Sequence, residues 1–384
     1  MTRSAATGPA TEAAVQPDPP PVAPGPGTAA GGDPAPAPAP TGLRAQSKIL
    51  VVLFAAITFQ LALVAAFTGA MGRPSLHSAK VGLVVTAHTP AADAVASHPI
   101  KGVSYRDRAS AAEARTAVRN GALPAAIVID NGRETVFVAS ASGPALAAGL
   151  SPALAAQAKQ AGLAFTAQDV RPLPPRDPKG LGTFLLVIGW VIGGYVGMTL
   201  LSRAVGAGAR TPRGTATLLG WTAVYAVLSA VAGVVLVDPL MGVVTGAAGP
   251  LIAAGTLIVF AVAALTAALM SLLGLSGLVV AIASLVILGN PTSGGSVPVP
   301  MLGGGWRFLA EILPTHAGVS LTRALAYFDG HQKGTPILVL GIYAAASVLL
   351  MVGLSLRRRN APAADRSVPA QPAGPPSRRV TAPQ

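Results

Sequence analysis

Residues 248–290 read AGPLIAAGTLIVFAVAALTAALMSLLGLSGLVVAIASLVILGN. They sit inside a longer segment, between Asp238 and Arg307, in which no residue carries a formal charge. A helix rises about 1.5 Å per residue, so about 20 apolar residues cross a hydrocarbon core of roughly 30 Å. The stretch therefore has room for two membrane spans and a tight connection. Gly246, Gly249, Gly274 and Gly277 offer turns. The reading starts one span at Gly249-Pro250 and lays the next over Leu272 to Leu288.

The whole composition agrees with that segment. Charged residues make up 11% of the 384, against a usual share of about 25%. Apolar residues are 52%, mean hydropathy is +0.59, and the formal net charge is +13. This combination excludes the ordinary soluble globular class. Cysteine is absent, which removes disulfides, thiolate metal sites and thiol catalysis together.

Outward from the central stretch, four more apolar runs follow the same rule. Gly182 to Leu201 and Thr217 to Val237 precede it, so spans two to five occupy 181–290. Pro336 to Leu356 follows it as a sixth span, ended by Arg357, Arg358 and Arg359. The first run, Ile49 to Ala70, has 22 residues and no charge. A cleaved signal peptide has an apolar region of only about 7–15 residues. Residues 48–71 are accordingly expected to be an uncleaved signal anchor and first span.

Residues 72–180 form the one long hydrophilic stretch with structural pattern. Val81 to Thr86, Val103 to Arg108, Ala125 to Asp130 and Glu134 to Ala139 read as strands. Asn131-Gly132 marks a hairpin. Ala111 to Asn120, capped by Ser110 and stopped by Gly121, and Leu146 to Ala161 read as helices. The expected fold is thus a polytopic α-helical membrane protein of about six spans, with a small extracytoplasmic α/β (α+β) domain between the first and second. The Pro/Ala-rich residues 1–47 and the basic tail 357–384 bury too little apolar surface to order, and are read as disordered.

Six spans place both termini on one side. Arg44, Lys48, Arg203, Arg210, Arg213, and the tail's Arg357, Arg358, Arg359, Arg366, Arg378 and Arg379 collect on that side, while the turn at Asp238 on the other carries no base. The positive-inside rule then makes both termini cytoplasmic in a bacterial plasma membrane. The basic balance is a topology signal and calls for no nucleic-acid partner. The 72–180 domain, with 12 bases and 7 acids, is long enough to translocate regardless of charge.

The chain contains no Gly-Lys dipeptide and so no Walker-type phosphate loop. No span carries an ionisable group in its interior, which argues against a proton- or sodium-coupled carrier. His77, His88, His98, His316 and His331 lack metal-ligand spacing, and no Gly-x-Ser-x-Gly elbow occurs, so neither a metal, a cofactor nor an enzymatic cluster is expected. Gly189, Gly193 and Gly197 repeat every four residues and form a small-residue packing seam, suited to a helix neighbour or a dimer interface. Arg203, Arg210 and Arg213 lie in a short Gly-rich loop that either fixes topology or docks a cytoplasmic subunit.

The segment 291–335, entered through Gly289-Asn290, is rich in Pro and Gly. It opens with Asn290, Pro291, Ser293 and Gly294 and continues to Val297-Pro298-Val299-Pro300. A short amphipathic helix, Trp306 to Leu313, is broken by Pro314, and another runs from Val319 to Phe328. Trp306, Tyr327 and Phe328 suit a membrane–water interface. The expectation is an outer re-entrant or interfacial segment.

These residues resemble the permease subunits of type-2 ATP-binding-cassette (ABC) exporters, nearest to the phage-infection-protein group. The resemblance rests on Asn290-Pro291 with Ser293-Gly294, on Leu313-Pro314, on Leu321-Thr322-Arg323-Ala324 with Tyr327-Phe328-Asp329-Gly330, and on the order span, outer domain, five spans over about 48–357. It implies a half-transporter energised by a separate cytoplasmic ABC ATPase, pairing as a homodimer or with a related permease, and exporting an amphiphilic or lipidic substrate. It also implies ATPase contact through about Arg203 to Arg213. The amphipathic helix that many such permeases place before the first span is here replaced by the Pro/Ala-rich tail. A reading of a different class is a non-transporting scaffold or surface receptor whose outer domain binds a phage, a secretion apparatus or a wall component.

Overall fold

The structure, a computed structural model, describes residues 43–72, 74–206, 211–244 and 246–360. Residues 1–42 and 361–384, which make up most of the two tails read as disordered, lie outside the described residues, as does Arg210. The chain parts into two compact units, Met1–Ala56 and Ile57–Gln384. The first contributes the beginning of helix α1 (Leu43–Met71), where Ile49, Leu53 and Phe54 are exposed.

In the second unit α1 is followed by β1 (Ala79–Val85), α2 (Pro90–Ser97), β2 (Val103–Asp107), α3 (Ala111–Arg119), β3 (Ala125–Asp130), β4 (Arg133–Val138), α4 (Pro144–Gln160) and β5 (Ala164–Asp169). Then come α5 (Gly182–Val205), α6 (Pro212–Val235) with a π-helical turn Leu236–Leu240, and α7 (Ala248–Leu273). Next is α8 (Leu275–Ile282), which runs through a π-helical turn Ala283–Leu288 into α9 (Gly289–Thr292). α10 (Gly304–Ile312), α11 (Pro314–Tyr327) and α12 (Gly334–Asn360) complete the order. Among the described residues, six helical segments are long and apolar enough to cross a membrane: Ile49–Met71, Gly182–Val205, Pro212–Leu240, Ala248–Leu273, Leu275–Thr292 and Gly334–Arg359. The chain is therefore mostly helical and has the makings of a multi-pass membrane protein.

α7 is the centre of the bundle. Its Ala254, Ala261, Ala263, Ala264, Ala267 and Ala268 are all buried, and such small side chains let α5, α6 and α12 approach closely. Gly274, at φ 67°, makes the tight turn into α8. The fifth span was expected from Leu272; instead α7 keeps Leu272 and Leu273, because the left-handed turn falls at the glycine.

The α/β domain holds a five-stranded sheet in the order β2-β1-β3-β4-β5. β1 runs parallel to β2 and β3, β3 is antiparallel to β4, and β4 is parallel to β5. Asn131 (φ 46°) and Gly132 (φ 74°) close the β3–β4 hairpin with both central residues left-handed, as the Asn-Gly pair foretells. One face packs under α2 and α4 through Ala92, Val95, Leu146, Leu150, Leu154 and Ala158. The other packs under α3 through Ala114 and Val118. Sequence reasoning missed α2 and β5. α2 is short and half Ala, without a clear period. β5 reads AFTAQD, with only Phe165 not fully exposed, so no alternation marks it.

Candidate functional site

The segment 291–335 is where the structure departs most from expectation. It is wedged between the bundle and the α/β domain, gripping both faces of the sheet. From its first loop, Met301 joins the core under α2 and α4, with Val297 packed against it, and Pro300 accepts a backbone hydrogen bond from His77 at 3.0 Å. From its far end, Tyr327 and Phe328 enter the core on the α3 face. Both are nearly fully buried, so the expectation that they sit at a membrane–water interface is corrected. Phe328 reaches inward because Gly121, at φ 70°, leaves room: a Cβ there would meet the Phe328 ring at 3.0 Å. The amphipathic α10 is the part of the segment that keeps apolar side chains outward, with Phe308 and Ile312 exposed.

α11 organises the wedge. Pro314 occupies its first turn, where a missing N–H is harmless. Ala317, Val319 and Leu321 pack into the bundle core. Two polar side chains reach back to the loop that ends the fifth span. Arg323 donates from its two terminal nitrogens to the carbonyls of Gly294 and Gly295, each at 2.8 Å. His316 Nδ1 lies 2.9 Å from the Ser293 carbonyl. A carbonyl only accepts, so Nδ1 carries the proton and Nε2 is left to accept from Ser320 Oγ at 3.2 Å. Burial pushes the His316 pKa down, against the Ser293 bond, which favours the charged ring. The imidazole is thereby held neutral. Ser293 Oγ in turn donates to the Asn290 carbonyl at 2.7 Å and accepts from Gly295 N at 3.2 Å. Asn290, Ser293, Gly294 and Arg323, spread over 34 positions of sequence, thus meet in one clamp, while Pro291 lies in α9 and Pro314 starts the helix that carries Arg323.

Arg323 has no carboxylate partner among the described residues, and its Nε has no hydrogen-bond partner. The Gly294 and Gly295 carbonyl dipoles face its charge directly, and Tyr327 and the Asp177 charge favour it from farther off. A cavity of about 260 Å³ opens beside the clamp, between Leu146 and Pro124 of the α/β domain, Pro298 of the loop, and His316, Ser320 and Phe328 of the α11 region.

A second polar knot ties the linker before α5 to the end of α11. Asp177 accepts from the first backbone N–H groups of α5, Leu181 at 2.9 Å and Gly182 at 2.8 Å, and from the Tyr327 hydroxyl at 3.1 Å. A carboxylate at a helix N-terminus satisfies orphan donors and meets the positive end of the dipole. Burial, then the Asp177 charge, pushes the Tyr327 hydroxyl up to about 12, so it stays a donor. Arg171 of the same linker is ion-paired with Asp329 just beyond α11. Sequence reasoning missed this knot, since Asp177 and Tyr327 stand 150 residues apart.

The glycine seam is divided. A Cβ on Gly193 would meet the Tyr225 hydroxyl at 3.1 Å and one on Gly197 the Tyr225 ring at 2.5 Å, so both lie against α6, and Tyr225 donates to the Gly193 carbonyl at 2.8 Å. Gly189 meets nothing within 4 Å. Arg203 and Arg213, at the ends of α5 and α6 away from the α/β domain, are both exposed. Between the helix ends on that side lies an open cleft of about 660 Å³, lined by Ser202, Gly206, Leu218, Ser271, Leu275 and Arg358 among others. Its Arg358 donates to the Ser271 carbonyl at 2.8 Å. No cluster of three or more metal-ligating side chains occurs among the described residues. Comparison of the chain with protein-family models, curated proteins and solved structures returns no match.

Proposed function

We propose that this chain is the membrane-spanning permease subunit of an ABC-type exporter in a bacterial plasma membrane, with both termini cytoplasmic and the α/β domain outside. A separate cytoplasmic ATPase would supply the energy, and a second copy or a related permease would complete the pathway. The observation that carries this reading is the open cleft at the bundle end opposite the α/β domain. It gathers the ends of α5, α6, α7, α8 and α12, so a subunit seated there would touch five helices at once. The cleft adjoins the Arg-bearing connection that the resemblance assigns to ATPase contact. Uncharged span interiors favour an amphiphilic cargo over an ion.

Co-purification with the ATPase tests the reading. Replacing Arg203, Arg210 and Arg213 together by Ala is expected to lower ATPase retention at least about tenfold, which corresponds to about 1.4 kcal/mol. Retention and export at wild-type level would remove the docking assignment. The scaffold or receptor reading draws on one observation, the exposed edge strand β5, which offers unpaired backbone to a partner strand. Charging that edge with Thr166→Lys and Gln168→Lys separates the two: an exporter keeps its export, whereas a receptor loses its surface partner.

A further inference from the structure

A second cavity lies on the flank of the bundle, where α5 leaves and α6 reaches the end nearest the α/β domain. It is a groove of about 450 Å³ with walls that include Leu185, Leu186, Trp190, Gly233 and Leu236. The walls are apolar and open sideways: Leu185 is 60% exposed, Leu236 51% and Met241 52%. Its floor is made by missing side chains. Gly189 has open space around it, and Gly233 lets the nitrogen edge of the Trp190 indole approach α6, with Nε1 donating to the Ser229 carbonyl at 3.2 Å. Gly189 is seven residues into α5, roughly 10 Å below the helix start at about 1.5 Å per residue. The groove therefore runs through most of one leaflet of a core roughly 30 Å thick.

Its mouth is cationic. Arg176 is exposed and has no acidic partner among the described residues. It rests on the backbone of Gly242, where a Cβ would meet its Cδ and Cζ at 3.3 Å. Lys179, also exposed, follows three positions on. Of the acids nearby, Asp177 lines the groove but is buried and engaged by the α5 N-terminus and Tyr327, and Asp238 does not line it. An apolar trough at leaflet depth under an exposed, unpaired guanidinium is complementary to an amphiphile with a negative head.

We propose that this groove holds one acyl chain of an anionic glycerophospholipid of the bilayer, with its phosphate paired to Arg176. The site stands whether or not the chain exports anything, since no ATPase is needed to fill it. The test is native mass spectrometry of the full-length chain in neutral detergent, titrated with phosphatidylglycerol or with phosphatidylcholine of the same acyl composition. Phosphatidylglycerol is expected to be retained about tenfold better. Arg176→Gln brings it down to the phosphatidylcholine level. Gly189→Trp, which fills the floor from an open position, lowers retention of both lipids. Equal retention of the two lipids by the wild-type chain, a preference that survives Arg176→Gln, or retention untouched by Gly189→Trp would each overturn the proposal.

Discussion

Glu134 sits on β4 between Ile129 of β3 and Phe165 of β5, fully buried, and neither carboxylate oxygen has a hydrogen-bond partner. Burial pushes its pKa up to about 7 from an ordinary value near 4.5. Because the folded state holds the proton more tightly, stability is full below about pH 4.5 and is lost as pH rises through about 7. The shift corresponds to a loss on the order of 3 kcal/mol. Glu134→Leu should flatten this dependence. Thermal unfolding of the solubilised chain at pH 5 and pH 8 is the measurement, and parallel profiles for the two proteins would refute the assignment. The seam glycines give a second residue-scale contrast. Gly197→Leu collides with Tyr225 and should cost about 1–3 kcal/mol. Gly189→Leu, with open space around it, should leave the unfolding temperature near wild type.

Among the elements, α11 is the one whose role its own sequence conceals. Its apolar positions fill the bundle core, its polar positions clamp the loop after the fifth span, and its last residues complete the core of another layer. Periodicity announced a helix over Val319 to Phe328, whereas the structure starts it at Pro314, where proline fits a first turn; the resemblance pointed to Arg323, yet nothing local distinguishes an interfacial helix from a wedge. Tyr327→Phe deletes one hydrogen bond to Asp177 and should cost about 1 kcal/mol. Phe328→Ala empties a packed site and should cost about 3–5 kcal/mol. Because the ring belongs to the α/β core, backbone hydrogen exchange should rise in α3 and β3 in the Phe328 variant. A rise confined to α11 would contradict the packing described.

For the whole molecule the deciding property is which way it faces. The chain has no cysteine, so single cysteines report without background. Gln168→Cys on β5 and Ala204→Cys at the end of α5 are both exposed positions on opposite sides of the bundle. In intact cells a membrane-impermeant maleimide should label residue 168 and spare residue 204 until the membrane is opened. The reverse pattern would invert the proposed orientation and remove the ATPase reading with it.

Residues adjacent in the chain were enough for the six apolar runs, the Asn131-Gly132 hairpin and the Ser110 cap of α3, because each follows from run length, side-chain period and backbone freedom. The sequence also named the clamp residues 290 to 323 without their purpose. It took the packing of distant segments to make Tyr327 and Phe328 core rather than interface, to let Asp177 cap α5 while holding Tyr327, and to set Gly193 and Gly197 against Tyr225 while Gly189 opens into a groove. The physical reason is that an aromatic side chain or a small-residue face is satisfied by lipid, solvent or protein alike. Which of these it meets depends on segments up to 150 residues away, and no local propensity records that choice.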